Sequence, residues 1–273
     1  MVHVRRIRLA GLALLLSLAN AGCKDSSGPD NGPDDNRSYL LAAGGALSLL
    51  YRVPLQATAT DSVIGAITLS TGVNLGITDL ALTRNGRLWG VTFTDLYRID
   101  PNTAIATRVG SLGVADMNAL TIAPDGRLLG AGGAGYLAVI DTVTGQATTI
   151  GTYGNVQISS GDIVFAPDGR LFATVIGSGA GDRLVTVNPA TGVAAPVSAG
   201  TIGFPNVWGL VFVENVLYAL TWGANANAPA GLLLRIDPAT GVGTQIRALS
   251  FKAYGATRPR SGPLVRIGER AEK

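Results

Sequence analysis

The sequence predicts an all-β fold, a β-propeller built from four-stranded blades. First, a pattern of roughly 40 residues recurs four times along the chain. Second, each copy contains two turns in phase with each other, and apolar segments rich in Val, Ile, Leu and Thr flank both turns, so each copy supplies four short strands. Third, charged residues make up only 14% of the chain and 37 residues are glycine, as expected for strands that are apolar nearly throughout because both faces are covered.

The first turn of each copy carries a residue suited to a hairpin loop. Gly86, Gly126 and Gly169 lie 40 and 43 residues apart, and Asn215 takes the same place 46 residues further on. In the Pro-Asp-Gly sequence that ends at Gly126, proline sets φ for a type I turn and glycine takes the left-handed position that closes the loop. The second turn recurs as Ile99–Thr103, Ile140–Gly145, Val187–Gly192 and Ile236–Gly241.

The number of blades follows from the repeat length. At about 43 residues per blade, residues 38–260 hold about five blades, of which four are whole. Leu50-Tyr51-Arg52-Val53 matches Leu96-Tyr97-Arg98-Ile99, so it is the third strand of a partial blade. We assign Tyr39–Ala43 to its second strand, Ser62–Ile67 to its fourth, and residues 251–257 to its first, which makes this blade a composite that closes the ring. A sixth blade is the alternative if the tail around residues 264–267 adds strands.

A bulky residue holds one place in the second strand of every full blade. A tryptophan there is a candidate ligand platform, but equivalent positions in a repeat fill equivalent gaps. We therefore expect these side chains to pack between neighbouring blades: Trp89, Leu129, Phe172 and Tyr218.

Residues 1–22 read as a targeting segment. Arginines near the N-terminus precede the apolar stretch Leu9–Leu18, which is too short to span a bilayer as a mature helix. The sequence Ala21-Gly22-Cys23 that follows resembles the lipobox of bacterial lipoproteins, although Asn20 departs from the Leu usual in that family. The resemblance implies that Cys23 is lipidated and becomes the new N-terminus. An ordinary secretory signal cut after Ala21 or Gly22 is the alternative.

The segments at both ends of the propeller are polar. Residues 23–37 carry the acidic, Gly- and Pro-containing composition of a flexible tether, and residues 261–273 form a basic tail. In Gram-negative lipoproteins an Asp directly after the cysteine marks retention at the inner membrane. Lys24 stands there in this chain, so the resemblance favours the outer membrane, with the domain facing the periplasm or the cell surface.

Charge and residue usage exclude several functions. The chain has 21 Lys+Arg and 18 Asp+Glu, and loss of the three arginines of the targeting segment leaves 18 of each. A basic nucleic-acid surface is therefore not expected. The only histidine is His3 and the only cysteine is Cys23, so the domain has no residues for Ser-His-Asp or Cys-His catalysis, histidine-bound zinc or disulfides.

The turn motifs resemble those of the bacterial propellers with NHL, YVTN and quinoprotein-like repeats. Pro-Asp-Gly-Arg-Leu and Ile-Asp-Pro-x-Thr-Gly carry this resemblance over residues 76–249. The WD40 signatures are absent, as is the tryptophan docking motif of quinoprotein dehydrogenases. The resemblance implies a fold and no particular activity.

Candidate site residues lie where the first strand of each blade begins, because these strand ends approach the central channel. A ring of Asp and Asn oxygens suits calcium, and it resembles the calcium centre of six-bladed lactonases, although no Glu occurs between Cys23 and Glu214. The other interpretation is that these side chains satisfy backbone groups at the strand ends. The candidates are Asp79, Asp116, Asn118, Asp162, Asn206 and Trp208.

Taken together, the sequence favours a membrane-anchored, non-enzymatic module that binds a protein or carbohydrate partner. We expect no cofactor, no nucleic acid and a monomer. The alternative is a calcium-dependent lactonase or esterase that works at the channel.

Overall fold

A computed structural model describes residues 39–154, 158–177, 181–223 and 227–258. Every regular element in these ranges is a β-strand, and the strands form five sheets, so the five-bladed propeller is confirmed. Among the residues described, no helix is long and apolar enough to cross a membrane. The tail around residues 264–267, where a sixth blade was the alternative, lies outside these ranges.

The strands follow one another in regular order around the ring. The N-terminal part contains β1 (Tyr39–Gly44), β2 (Leu49–Pro54), β3 (Ser62–Ala66) and the short β4 (Thr68–Leu69). The first full blade contains β5 (Asp79–Leu82), β6 (Leu88–Val91), β7 (Asp95–Ile99) and β8 (Ile105–Ser111), and the second β9 (Met117–Ile122), β10 (Leu128–Gly132), β11 (Tyr136–Ile140) and β12 (Ala147–Thr152). The third contains β13 (Ser159–Phe165), β14 (Leu171–Val175), β15 (Arg183–Val187) and β16 (Ala194–Pro196). The fourth contains β17 (Val207–Val213), β18 (Val216–Thr221), β19 (Leu232–Ile236) and β20 (Gly243–Ala248), and β21 (Ala253–Thr257) follows it.

The turn chemistry explains where the strands end. Gly86, Gly126 and Gly169 have φ of 80°, 92° and 90°, the left-handed conformation that glycine adopts without a steric cost. At the second turn, the carboxylate of Asp141 accepts a hydrogen bond from the Val143 amide at 2.7 Å, which mimics a backbone turn. These contacts are local, so each hairpin is encoded by its own segment.

The ring is closed by a composite blade. Its strand order is β21-β1-β2-β3, and Ala43 lies opposite Gly255 in the antiparallel pair of β1 and β21. Tyr51 and Phe251 stack across this junction, with ring centroids 3.6 Å apart and planes within 3°. On the neighbouring fourth blade, the buried Arg247 donates to Asp61 at 2.6 Å, which ties β20 to the connection between β2 and β3.

Five hydrophobic clusters fill the five gaps between neighbouring blades. Trp89 lies between the first and second blades, Leu129 between the second and third, and Phe172 between the third and fourth. Tyr218 packs, partly buried, against the cluster between the fourth and composite blades. The four bulky residues therefore fill interblade gaps, as predicted.

The fourth strands differ from expectation. The inner and second strands β5, β6, β10 and β14 are buried throughout, but β8 and β12 expose about half of their residues. The expectation of strands that are apolar nearly throughout is wrong for these outer strands, because the edge of a blade is not covered by its neighbours. In addition, β4 pairs in parallel with β8 and widens the first blade to five strands.

Candidate functional site

The axis of the ring is filled by two buried carboxylates. The innermost strands of the five blades are β5, β9, β13, β17 and β21. Each of these strands contributes one residue to a layer that crosses the axis. The five residues of this axial layer are Asp79, Ala119, Asp162, Gly209 and Gly255. Both aspartates are fully buried. The three small residues leave room for the two carboxylates, and a Cβ added to Gly255 would lie 2.1 Å from Asp79 Oδ1.

Five backbone amides, one from each inner strand, point at this pair. Asp79 accepts from Leu80 N at 2.7 Å and from Leu120 N at 2.5 Å. Asp162 accepts from Ile163 N at 2.6 Å and from Leu210 N at 2.5 Å, and it accepts a further hydrogen bond from the backbone of Ala256. The two side chains therefore satisfy the amides that the inner strands direct toward the axis.

The two carboxyl groups are placed to hydrogen-bond to each other, which requires one of them to hold a proton. Burial raises the pKa of Asp79 well above its usual value, and repulsion by Asp162 raises it further. Burial also raises the pKa of Asp162, while the hydrogen bonds from Asp79, Leu210, Ile163 and Ala256 oppose that rise. Because the Asp162 oxygens already accept several hydrogen bonds, Asp79 is the better carrier of the proton and donates it to Asp162.

The layer next to the carboxylates, toward the start of the inner strands, lines an open cavity of about 400 Å³ that we call the mouth. All five blades contribute to it. Its floor is formed by the residues that directly precede the axial layer, and Phe93 and Ser160 stand beside them. The floor residues are Thr78, Asn118, Gly161, Trp208 and Tyr254.

Aromatic rings dominate one side of the mouth. The rings of Trp208 and Tyr254 are nearly parallel, with centroids 5.9 Å apart, and Trp222 approaches Trp208 at 5.3 Å. A Cβ added to Gly161 would lie 2.6 Å from the Trp208 Cα, so glycine lets this tryptophan pack directly against β13. Phe93, on the rim, is 54% exposed.

The rest of the mouth is lined by small or apolar residues, such as Gly45, Ala46 and Ile77, together with a few neutral polar groups. Asn118 Oδ1 accepts from the Ser159 hydroxyl at 3.2 Å, and the Thr78 hydroxyl donates to Met117 O at 2.9 Å. The Ser160 hydroxyl donates to Asp182, which is buried and is not among the residues that line the mouth. Burial raises the pKa of Asp182.

The six candidate residues from the sequence are thus divided among three places. Asp79 and Asp162 lie on the axis, whereas Asn118 and Trp208 line the mouth. Asp116 and Asn206 stand just before β9 and β17 with φ of 60° and 55°, and the Asn206 amide donates to Gly223 O at 2.9 Å. Within the described ranges, no group of three or more His, Cys, Asp or Glu residues is placed to hold a metal ion.

Five residues on the floor of the mouth or beside it were missed from the sequence: Thr78, Phe93, Ser160, Gly161 and Tyr254. Thr78 and Gly161 directly precede Asp79 and Asp162, so the register of those two candidates would have found them. Tyr254 was already assigned to the closing strand, and the register used for Asn118 and Trp208 would have found it there. Phe93 and Ser160 carried no comparable signal, because one lies in the loop after β6 and the other lies one residue away from the repeating position.

The opposite end of the axis opens into a second cavity of about 480 Å³. Its rim is formed by the first-turn hairpins and carries Arg84, Glu214 and Arg258. Two arginines that follow the turn glycines form exposed ion pairs with the turn aspartates, Arg127 with Asp125 and Arg170 with Asp168, both at 2.8 Å. These are contacts within single hairpins and do not form a shared anion site.

The fold places the chain among the five-bladed β-propellers. No protein-family model matches it, and no curated protein matches its sequence. It is similar to a structural genomics protein of unknown function from Bacteroides thetaiotaomicron, with 11% identity and a TM-score of 0.51, over 77% of this chain and 55% of that one. It is also similar to a chain of the nidogen/laminin complex, with 16% identity and a TM-score of 0.50, over 78% of this chain and 80% of that one.

The alignment thus spans little more than half of the Bacteroides protein, 55% of its length. At these identities, the likeness to both structures establishes the propeller architecture and carries no information about activity.

Proposed function

We propose that this chain is a lipid-anchored, non-enzymatic propeller that acts as a binding or scaffold module through its mouth. The observation that carries the proposal is that the axial carboxylates are engaged within the fold, whereas the mouth beside them is open. The carboxylates that a metal-dependent enzyme would need are engaged with five backbone amides and with each other. The mouth is a concave surface whose described lining is largely apolar and uncharged with a few polar groups, which is typical of a ligand site.

The alternative, a calcium-dependent lactonase or esterase, lacks support from these side chains. Calcium binds six to eight oxygens, and carboxylates supply them through lone pairs that are free to coordinate. The lone pairs of Asp79 and Asp162 already accept backbone hydrogen bonds. The mature chain also lacks histidine, the commonest general base.

The anchor assigns the module to a membrane surface. Cys23 is the only cysteine of the chain and stands at the lipobox position, and the polar residues 24–37 that follow supply a tether. A lipoprotein anchor carries several acyl chains, and each buried CH₂ adds about 0.8 kcal/mol, well beyond the marginal hold of one chain. By resemblance, Lys24 directs the protein to the outer membrane.

Cell fractionation tests the anchor. Cys23→Ser should move the protein from the membrane pellet to the soluble fraction and abolish incorporation of labelled fatty acid, while Ser26→Ala, in the tether, should leave both unchanged. If Cys23→Ser is processed by signal cleavage and still remains in the pellet after a high-salt wash, the lipid-anchored module is wrong.

A further inference from the structure

We propose that the mouth binds a neutral saccharide of one or two pyranose rings, stacked on Trp208. This inference deepens the binding function proposed above and rests on it. It names the chemical class of ligand from three properties of the mouth: an aromatic wall, neutral polar groups that retain hydrogen-bonding capacity, and a lining without charge among the described residues.

The aromatic wall provides the stacking surface. Trp208 is half-buried and lines the mouth, and its ring is held by contacts with Tyr254 and Trp222. Phe93 adds a second exposed ring at the rim. A ring held by its neighbours loses little conformational entropy on binding, and its apolar face matches the C–H face of a pyranose.

The polar groups favour a ligand with hydroxyls over a purely apolar one. Asn118 accepts a hydrogen bond through Oδ1, and its Nδ2 has no partner among the described residues. The hydroxyl of Thr78 donates its proton to the backbone carbonyls of Val91 and Met117, but its oxygen can still accept a hydrogen bond on the floor. An apolar ligand would remove water from these groups without replacing its hydrogen bonds, whereas sugar hydroxyls both donate and accept.

The charge of the lining favours a neutral ligand. Among the described residues, none that lines the mouth is charged. The nearby Asp182 is buried and accepts from Ser160 and Val207, and the Lys252 ammonium lies over the Trp222 ring at 4.0 Å. A phosphorylated or acidic ligand would therefore meet no cation on the floor of the mouth.

The volume limits the size of the ligand. About 400 Å³ lies at the small end of the range of small-molecule sites. A mono- or disaccharide fits this volume, while a longer chain would extend over the rim past Phe93.

Calorimetry with the purified mature chain tests the proposal. The probes are neutral disaccharides (cellobiose, maltose, lactose and chitobiose), with glucuronic acid as the charged comparison and a proline-rich peptide as the alternative class of ligand for an aromatic surface. We expect saturable binding of at least one neutral disaccharide in the micromolar to millimolar range and none of glucuronic acid.

Matched variants locate the binding. Trp208→Ala should weaken it by about tenfold or more, Trp208→Phe should retain most of it, and Asn118→Ala should weaken it several-fold. Asn215→Ala, an amide at the opposite end of the axis, should leave it unchanged. Failure of all four disaccharides, binding of the peptide alone, or full affinity in both Trp208→Ala and Asn118→Ala would overturn the saccharide site. None of these outcomes alters the fractionation result, so they leave the proposed anchored module to be judged separately.

Discussion

The buried pair Asp79 and Asp162 gives single residues a role in the stability of the whole ring. The oxygens of the two carboxyl groups accept hydrogen bonds from five backbone amides. A proton held between them avoids the free-energy cost of burying two negative charges. Such a pair stabilises the fold only while the proton is held. The consequence is a dependence of stability on pH that is opposite to the usual effect of paired carboxylates.

The sign of this dependence follows from the raised pKa of Asp79. The folded state holds a proton that the unfolded chain releases above a pKa of about 3.9, so the free energy of unfolding falls as the pH rises from about 4 toward the folded pKa. Asp182 adds to the same trend because its pKa is also raised. The exposed turn residues Asp125 and Asp168 act in the opposite sense: their lowered pKa gives stability that is lost as the pH falls below about 4.

Asp79→Asn should therefore flatten the upper part of this profile. An asparagine donates to Asp162 without taking up a proton, but it leaves one of the amides of Leu80 and Leu120 without an acceptor, at a cost of about 1–3 kcal/mol. We expect the variant to be less stable than the wild type at pH 5 and equal or more stable at pH 8, measured by denaturant unfolding. Asp116→Asn, which removes an exposed carboxylate, is the control. Parallel profiles for Asp79→Asn and the wild type would show that the pair holds no shared proton.

The strand β21 shows how an element distant in sequence completes the fold. It pairs with β1, packs against β5 and β17, and the Thr257 hydroxyl accepts from Leu82 N at 2.9 Å. Gly255 lies at its closest approach to the axis. The composite blade thus requires glycine at position 255 of its inner strand.

Gly255→Ala tests this close approach. The added Cβ would meet Asp79 Oδ1 at 2.1 Å and Asp79 Cα at 2.6 Å, and the backbone there has little room to move. We expect a loss of about 3 kcal/mol in the free energy of unfolding. Gly76→Ala, where no atom lies within 4 Å of the new Cβ, should change it by less than about 0.5 kcal/mol. Equal melting temperatures for the two variants would contradict the placement of β21 on the axis.

The hairpins and the composite blade were predictable because their signals are local or repeated. Turn residues such as Gly126 set the hairpins, and the match of Leu50–Val53 to Leu96–Ile99 identified a partial blade that needed a first strand. The parallel pair of β4 and β8 was not predictable, because β4 has only two residues and no repeat.

The contents of the axis and the mouth were predictable only in part. The register brought Asp79 and Asp162 to the strand ends, but their contact across the second blade depends on Ala119, Gly209 and Gly255 all being small. No pattern in the sequence indicates the inner diameter of the ring at the axial layer. For the same reason, the oxygens that suggested a calcium ring are distributed over three places in the structure.

The five blades form a ring that is closed by the pairing of β1 with β21, and the side chains of Asp79 and Asp162 occupy its centre. The two cavities lie on either side of the axial layer and are lined by different residues. Function at the axis itself would require a cation to replace the shared proton and to take carboxylate oxygens from the backbone amides. The central claim is therefore that the axial pair is structural and that binding takes place at the mouth.

Thermal melting of the purified mature chain, first with a chelator and then with millimolar calcium, tests this claim most directly. A cation bound at the axis would stabilise the fold by about 2.7 kcal/mol at a hundredfold excess over Kd. We predict no change in melting temperature, because the carboxylate lone pairs are already occupied by Leu80, Leu120, Ile163 and Leu210 amides. A rise of several degrees in calcium that disappears in Asp79→Asn/Asp162→Asn would contradict the account and restore the calcium-dependent hydrolase.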